Sequence, residues 1–352
     1  MRRSIFVVLL LSVLIAISGC SGVFSETYVS KKPHESDTTA ASTKQQYAAS
    51  YPEIYTALTV LVGKIETDGV IVLSNINEQV GRSYLEAACK NLTSMDPMGA
   101  YAVADIRFDL GTNAGRLAAA VHIDYSKNIT ELSSVKTVRT VNQAEEIIGQ
   151  ALERAAESVA VRVEQYEQIN FDDLVRRYAD LNPASVMEIP QVSVSVYPNN
   201  GVSRLVELSF TYENSAKELM KMKSKVESVF TAAELYVKDS ASSPNKLQLL
   251  YAFLMERFDY ELRSSSTPTY ALLHEGVGDS RAFACVFAAM CKQAELECRA
   301  ISGTKDGKAW YWNRVVINNR VYYIDLIDAE KTGKLQLRTS SEMGGYHWDK
   351  NL

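Results

Sequence analysis

The sequence predicts an α+β fold in two successive parts behind an N-terminal leader. Two pairs of apolar runs with period two, each pair broken by a turn rich in Gly and Asn, read as β-hairpins within residues 102–125 and 191–212. A stripe at helical spacing, Ala144, Ile147, Ile148, Ala151, Leu152 and Ala155, lies between them, so helices alternate with strands. The composition is that of an ordinary globular chain: 47% of the 352 residues are hydrophobic and 22% charged. That length suits about two domains at ~100–200 residues each, and those proportions exclude a disordered or collagen-like chain.

Arg2 and Arg3 precede an apolar run from Ile5 to Ile17 that only Ser12 interrupts, and Ser18, Gly19 and Cys20 follow. This is the layout of a secretory signal peptide, too short for a comfortable membrane span. The tetrapeptide Ile17-Ser18-Gly19-Cys20 resembles the bacterial lipobox. The resemblance implies a signal peptide of residues 1–19, a lipidated Cys20 as the new N-terminus, and a protein held outside the cytoplasm on the cell membrane. Two acyl chains anchor stably where one is marginal. Removing residues 1–19 takes away Arg2 and Arg3 and moves the formal charge from −5 to −7. Residues 20–46, rich in Ser, Thr, Lys, Ala and Gln, read as a tether. The acidic balance gives no means of neutralising a phosphate backbone in bulk, so no nucleic-acid partner is expected. Five cysteines are too few for a disulfide-built scaffold.

Residues 47–212 read as an N-terminal α+β domain with an antiparallel sheet, and no internal repeat is evident. Tyr51 to Val62 is expected to be a helix, Val70 to Leu73 a brief strand, and Glu78 to Asn91 a helix stopped by Asp96-Pro97. Ala102, Ala104, Ile106, Phe108 and Leu110 alternate on one strand and Leu117, Ala119, Val121, Ile123 and Tyr125 on the next. A helix over Val141 to Glu157, a strand at Val159 to Val163 and a helix over Phe171 to Leu181 follow. Val192, Val194 and Val196 pair with Val206, Leu208, Phe210 and Tyr212 around Pro198-Asn199-Asn200-Gly201, where Asn-Gly tolerates the positive φ of a tight turn. Residues 213–242 are expected to form a bridging helix, with the C-terminal domain in residues 243–352. No chemical constellation stands out before residue 246; His122, opposite Val121 and Ile123, reads as solvated.

From Lys246 onward the blocks are more specific. Phe258-Asp259-Tyr260 closes a helix, and Gly278-Asp279-Ser280-Arg281-Ala282-Phe283-Ala284 opens another. Cys298 to Gly303 reads as a strand, Trp310-Tyr311-Trp312-Asn313 as the next, and Tyr322-Tyr323-Ile324-Asp325 as the last, followed by Gly345-Tyr346-His347-Trp348-Asp349. These blocks, over roughly residues 246–349, resemble the transglutaminase-like superfamily, whose members share a papain-like fold. The resemblance implies that Ser280 stands at the position of the family's nucleophilic cysteine, Trp310 at that of its histidine, and Asp325 at its aspartate.

The family mechanism needs a thiolate, a base and a group that orients the base. A serine hydroxyl is weak without an adjacent base, and indole carries an N–H donor with no basic lone pair. No covalent catalysis is therefore expected at Ser280, Trp310 and Asp325. Ser280, Trp310, Tyr311, Trp312, Asn313, Tyr323 and Asp325 are the candidates for a binding cleft whose aromatics suit an extended peptide or glycan. The alternative is an active peptidase or acyltransferase using Ser280 with a histidine from elsewhere, His274 or His347. Cys285 lies about 140° around the helix from Ser280. Cys89, Cys285, Cys291 and Cys298 read as buried thiols, with a Cys291–Cys298 disulfide left open, and their spacing does not suit zinc. Asp279 and Ser280 are both suited to cap the helix they open. No metal and no cofactor are expected. The expected partners are the membrane, through the lipid on Cys20, and a peptide, peptidoglycan or envelope-protein ligand.

Overall fold

The computed structural model describes residues 45–240 and 242–349. The expected signal peptide, Cys20 and nearly all of the tether lie outside the described residues.

The N-terminal half contains the same unit of four strands and two helices twice, the first copy with one extra short helix. The first unit runs β1 (Gln45–Ala48), α1 (Tyr51–Gly63), β2 (Asp68–Leu73), α2 (Glu78–Met95), a short α3 (Pro97–Ala102), β3 (Val103–Asn113) and β4 (Arg116–Tyr125), with strand order β1-β2-β4-β3. After α4 (Ile129–Ser134), the second runs β5 (Lys136–Thr140), α5 (Val141–Glu153), β6 (Ser158–Gln165), α6 (Phe171–Leu181), β7 (Gln191–Tyr197) and β8 (Arg204–Thr211), with order β5-β6-β8-β7. Each sheet therefore adds a parallel pair, β1 with β2 and β5 with β6, to the antiparallel hairpin read from the sequence. The register matches as well. Gln45 faces Val70 and Lys136 faces Val161, each 25 residues on.

The match extends to single residues at an offset of 90. Ile54, Leu58, Leu61 and Val62 of α1 are buried, and so are Ala144, Ile148, Ala151 and Leu152 of α5. Both helices end in a left-handed residue, Ile65 (φ 59°) and Ala155 (φ 48°). Glu66 N–H bonds the Leu61 carbonyl, and Ala156 N–H bonds the Ala151 carbonyl, the 6→1 bond of a Schellman ending. Yet across residues 45–73 and 135–163 no aligned position is identical. What recurs is apolar spacing and turn geometry, which is why the repeat escapes a reading of residue identities.

The helices otherwise follow their capping chemistry. Asn77 caps α2 through Val80 N–H at 2.9 Å, and Asn128 with Glu131 forms a capping box on α4. Asp96 does more than stop a helix: its carboxylate accepts Met98 and Gly99 N–H and starts α3. The helix expected to reach Glu157 ends at Glu153, turned by Ala155.

Helix α7 (Ala216–Val237), expected as a bridge, belongs to the C-terminal core. Its Leu219, Val226, Phe230, Ala233 and Val237 share one apolar cluster with Leu250 and Leu254 of α8 (Ser243–Met255) and with Phe283, Val286 and Phe287 of α9 (Ser280–Gln293). Between α8 and α9, β9 (Asp259–Tyr260) pairs with β10 (Val277–Gly278). Strands β11 (Cys298–Lys305), β12 (Lys308–Ile317) and β13 (Arg320–Ile324), then α10 (Leu326–Thr332) and β14 (Tyr346–His347), complete the chain, with sheet order β13-β12-β11-β14. Val315, Ile317 and Ile324 join the cluster beneath α9, while Ile301, Trp312, Met343 and Tyr346 form a second core with Trp348. Among the described residues, no helix is long and apolar enough to cross a membrane.

Candidate functional site

Ser280 is the first residue of the buried helix α9. Its neighbour Asp279 is the cap, accepting Ala282 N–H at 2.9 Å. The Ser280 hydroxyl is left to face β12, where it accepts Tyr311 N–H at 3.3 Å, and the residue is 8% exposed. Of the two residues suited to capping, only Asp279 does so.

One step along β12, Trp310 donates its Nε1–H to Asp325 Oδ2 at 2.9 Å. The same oxygen accepts from Lys305 Nζ at 2.8 Å and from the Tyr346 hydroxyl at 2.6 Å. Asp325 Oδ1 accepts Ile327 and Asp328 N–H, both at 3.1 Å, and so caps α10. Asp325 is 3% exposed, and its carboxylate holds five donors. Lys305 also bonds Asp328 at 2.8 Å, and Arg338 reaches Asp328 at 3.2 Å. Two cations thus balance two carboxylates, which a buried cluster requires. Burial opposes the charge on Lys305, but its bonds to Asp325, Asp328 and Tyr346 outweigh it and hold the ammonium well above the usual lysine range. Burial, then the bond to Asp325, raises the Tyr346 phenol above its ordinary value.

Hydrogen bonds link Ser280 to Tyr311 and Trp310 to Asp325, while Trp312, Asn313 and Tyr323 are held by other contacts. Trp312 is fully buried, edge-on to Tyr346 at 5.2 Å and to Trp348 at 5.4 Å. Asn313 is fully buried too, and its Nδ2 ties β12 to the Ala284 carbonyl of α9 at 2.8 Å. Alternation along a strand sends these two side chains into opposite cores, so neither offers a surface to a ligand. Tyr323 packs on Trp348 at 5.1 Å. Tyr311 is half-buried, and burial pushes its phenol up to about 12. Lys305, Asp328, Arg338 and Tyr346 were missed in the sequence. Only Tyr346 carried a signal, within the Gly345–Asp349 block.

Among the described residues, no imidazole bonds Ser280. His274 Nε2 lies 2.9 Å from Lys225 Nζ of α7, and its ring stacks on Tyr270 at 4.7 Å. His347 sits in β14 opposite Thr304. His122 is held by Asp68 at 2.8 Å and Asp124 at 3.2 Å, and the Asp68 bond raises its pKa. Cys285 is buried, and burial, then Asp180, raises its thiol well above the usual range. That is the reverse of what a nucleophilic thiol needs. Cys89, Cys285, Cys291 and Cys298 are all free thiols. No group of three metal-ligating side chains occurs among the described residues.

Residues 230–326 match the model of the transglutaminase-like superfamily. This stretch is a transglutaminase-like domain. No curated protein matches the chain. Among solved structures, a TGase is 11% identical at a TM-score of 0.29, covering 52% of this chain and 54% of that one. A candidate cysteine protease from Cytophaga hutchinsonii is 12% identical at a TM-score of 0.27, covering 45% and 70%. A candidate protease from Parabacteroides distasonis is 8% identical at a TM-score of 0.24, covering 73% and 39%. The chain thus spans about half the length of the TGase it matches. Within the transglutaminase-like domain, the helix N-terminus, the two strands and the acidic residue stand in the order that the sequence blocks implied. The side chains at the first two positions are a hydroxyl and an indole.

Proposed function

We propose that the protein is a lipoprotein anchored outside the cytoplasm, whose transglutaminase-like domain does no covalent chemistry and serves as a binding or scaffold module for a peptide, cell-wall fragment or envelope protein. The observation that carries this reading is the Trp310–Asp325 hydrogen bond. Indole donates and cannot accept the Ser280 proton, and Asp325 is occupied by five donors, so neither residue can act as the base for Ser280. Trp310, Tyr311 and Tyr323 stay partly exposed and supply aromatic surface. The anchoring part rests on the Ile17–Cys20 block.

The test is amide hydrolysis and amine incorporation by residues 45–352, comparing the native sequence, Ser280→Ala, and the double variant Ser280→Cys with Trp310→His. The native sequence should match Ser280→Ala at background, with activity appearing only in the double variant. Native activity that Ser280→Ala abolishes would overturn the reading. For the anchor, incorporation of a labelled fatty acid should be lost in Cys20→Ala.

A further inference from the structure

Ser280 is 8% exposed, and Arg281 beside it is gripped by an element from outside the transglutaminase-like domain. Asp180, in the last turn of α6 of the second repeat, accepts from Nε of Arg281 at 2.8 Å and from its terminal nitrogen at 2.6 Å. Arg281 is the residue after Ser280. Its guanidinium lies 6.0 Å from the ring of Tyr311, whose N–H bonds the Ser280 hydroxyl. Asp180, Arg281, Tyr311 and Ser280 therefore form one continuous chain of contacts from α6 to the nucleophile position. Around it, Pro183, Val186 and Met187 line one small, partly open pocket with Pro268, Ala282 and Cys285.

A half-buried Arg–carboxylate pair adds little net stability, but breaking it from one side is costly, since a charge is stranded. It fixes geometry more than it holds mass together. We propose that α6 is a lid on the Ser280 cleft and that the Asp180–Arg281 pair is its latch, so a ligand reaches Ser280 only when α6 lifts. The proposal rests on reading the cleft as a binding groove, and it adds that the second repeat regulates access to it.

The test uses Ser280→Cys as an accessibility reporter in the full folded chain, with the half-buried Cys89 and Cys298 changed to Ser. Alkylation by iodoacetamide is timed against the same protein carrying Ser280. The reporter thiol should react slowly. Asp180→Asn should speed it by about tenfold or more, as expected when a closed state loses ~1.4 kcal/mol against an open one. The exchanged pair, Asp180→Arg with Arg281→Asp, should restore slow labelling. Hydrogen exchange provides the second reading, with α6 amides opening more readily than those of α9. Labelling that is already fast in the parent, or unchanged in Asp180→Asn while the unfolding midpoint falls, would overturn the lid. So would α6 and α9 exchanging as one unit. Because alkylation reads access and not amide chemistry, such a failure leaves the absence of a base at Ser280 standing.

Discussion

Trp310 gives its indole N–H to Asp325 at 2.9 Å, so the carboxylate at the position that would orient an imidazole holds a side chain with no basic lone pair to take a proton. The aspartate keeps other work. It caps α10 and receives Lys305 and Tyr346, joining β11, β12, α10 and β14 at one buried point. A structural reason for Asp325 therefore exists independently of catalysis.

Removing that carboxylate should be severe. Asp325→Ala takes one of the two carboxylates from Lys305 and uncaps α10, and a cost of about 3–5 kcal/mol is expected for breaking a buried pair. Asp325→Asn keeps an acceptor for the cap and should cost less. Urea denaturation of the two variants measures the difference, and a loss under about 1 kcal/mol in the alanine variant would contradict the account.

Lys305 sets a pH dependence of known sign. Its folded pKa is raised above the unfolded value, so its contribution is fully present below about pH 10.4 and is lost as pH rises from there through the folded pKa. Stability should decline above that pH, and Lys305→Met should flatten the decline while lowering stability at neutral pH. Unfolding midpoints between pH 8 and about 11.5 would show it. Parallel alkaline limbs in the two proteins would rule Lys305 out as the cause.

The sequence carried the long elements and the positions of Ser280, Trp310 and Asp325, because apolar period and block order are local signals. It did not carry β1 and β5, whose residues QQYA and KTVRT lack an alternating apolar face and are strands only because β2 and β6 pair with them. Lys305 was invisible for a related reason. A lysine at the end of a strand reads as solvated, and only the folded chain shows two carboxylates beside it. Asp180 and Arg281 stand 101 residues apart, and nothing in either local window announces their pairing.

The paired left-handed residues separate backbone cost from packing. Ala155→Gly relieves about 1–2 kcal/mol of left-handed strain but loses a buried methyl worth ~0.8 kcal/mol and adds unfolded-state entropy. The net should lie within about 0.5 kcal/mol of zero. Ile65 gains the same backbone relief, yet its partly buried side chain packs against the Tyr101–Leu205 cluster, so Ile65→Gly should lose about 1 kcal/mol net. Equal effects at the two sites would mean the two turns are not governed by the same backbone.

Gly303 tests how tightly the C-terminal tail is held to the site. A Cβ there would press into the backbone oxygen of His347 and come within 2.6 Å of the Trp312 ring. Neither can yield cheaply, since one is the main chain of β14 and the other a fully buried indole. Gly303→Ala should therefore cost about 2–3 kcal/mol, as overpacking does, and it should displace Tyr346 from Asp325. Gly111 on β3 is the control, because a Cβ there meets nothing within 4 Å, and Gly111→Ala should be neutral or slightly stabilising. If Gly303→Ala unfolds at the same urea concentration as Gly111→Ala, the tail is not pinned at β11. The hydrogen bond from Tyr346 to Asp325 would then need another explanation.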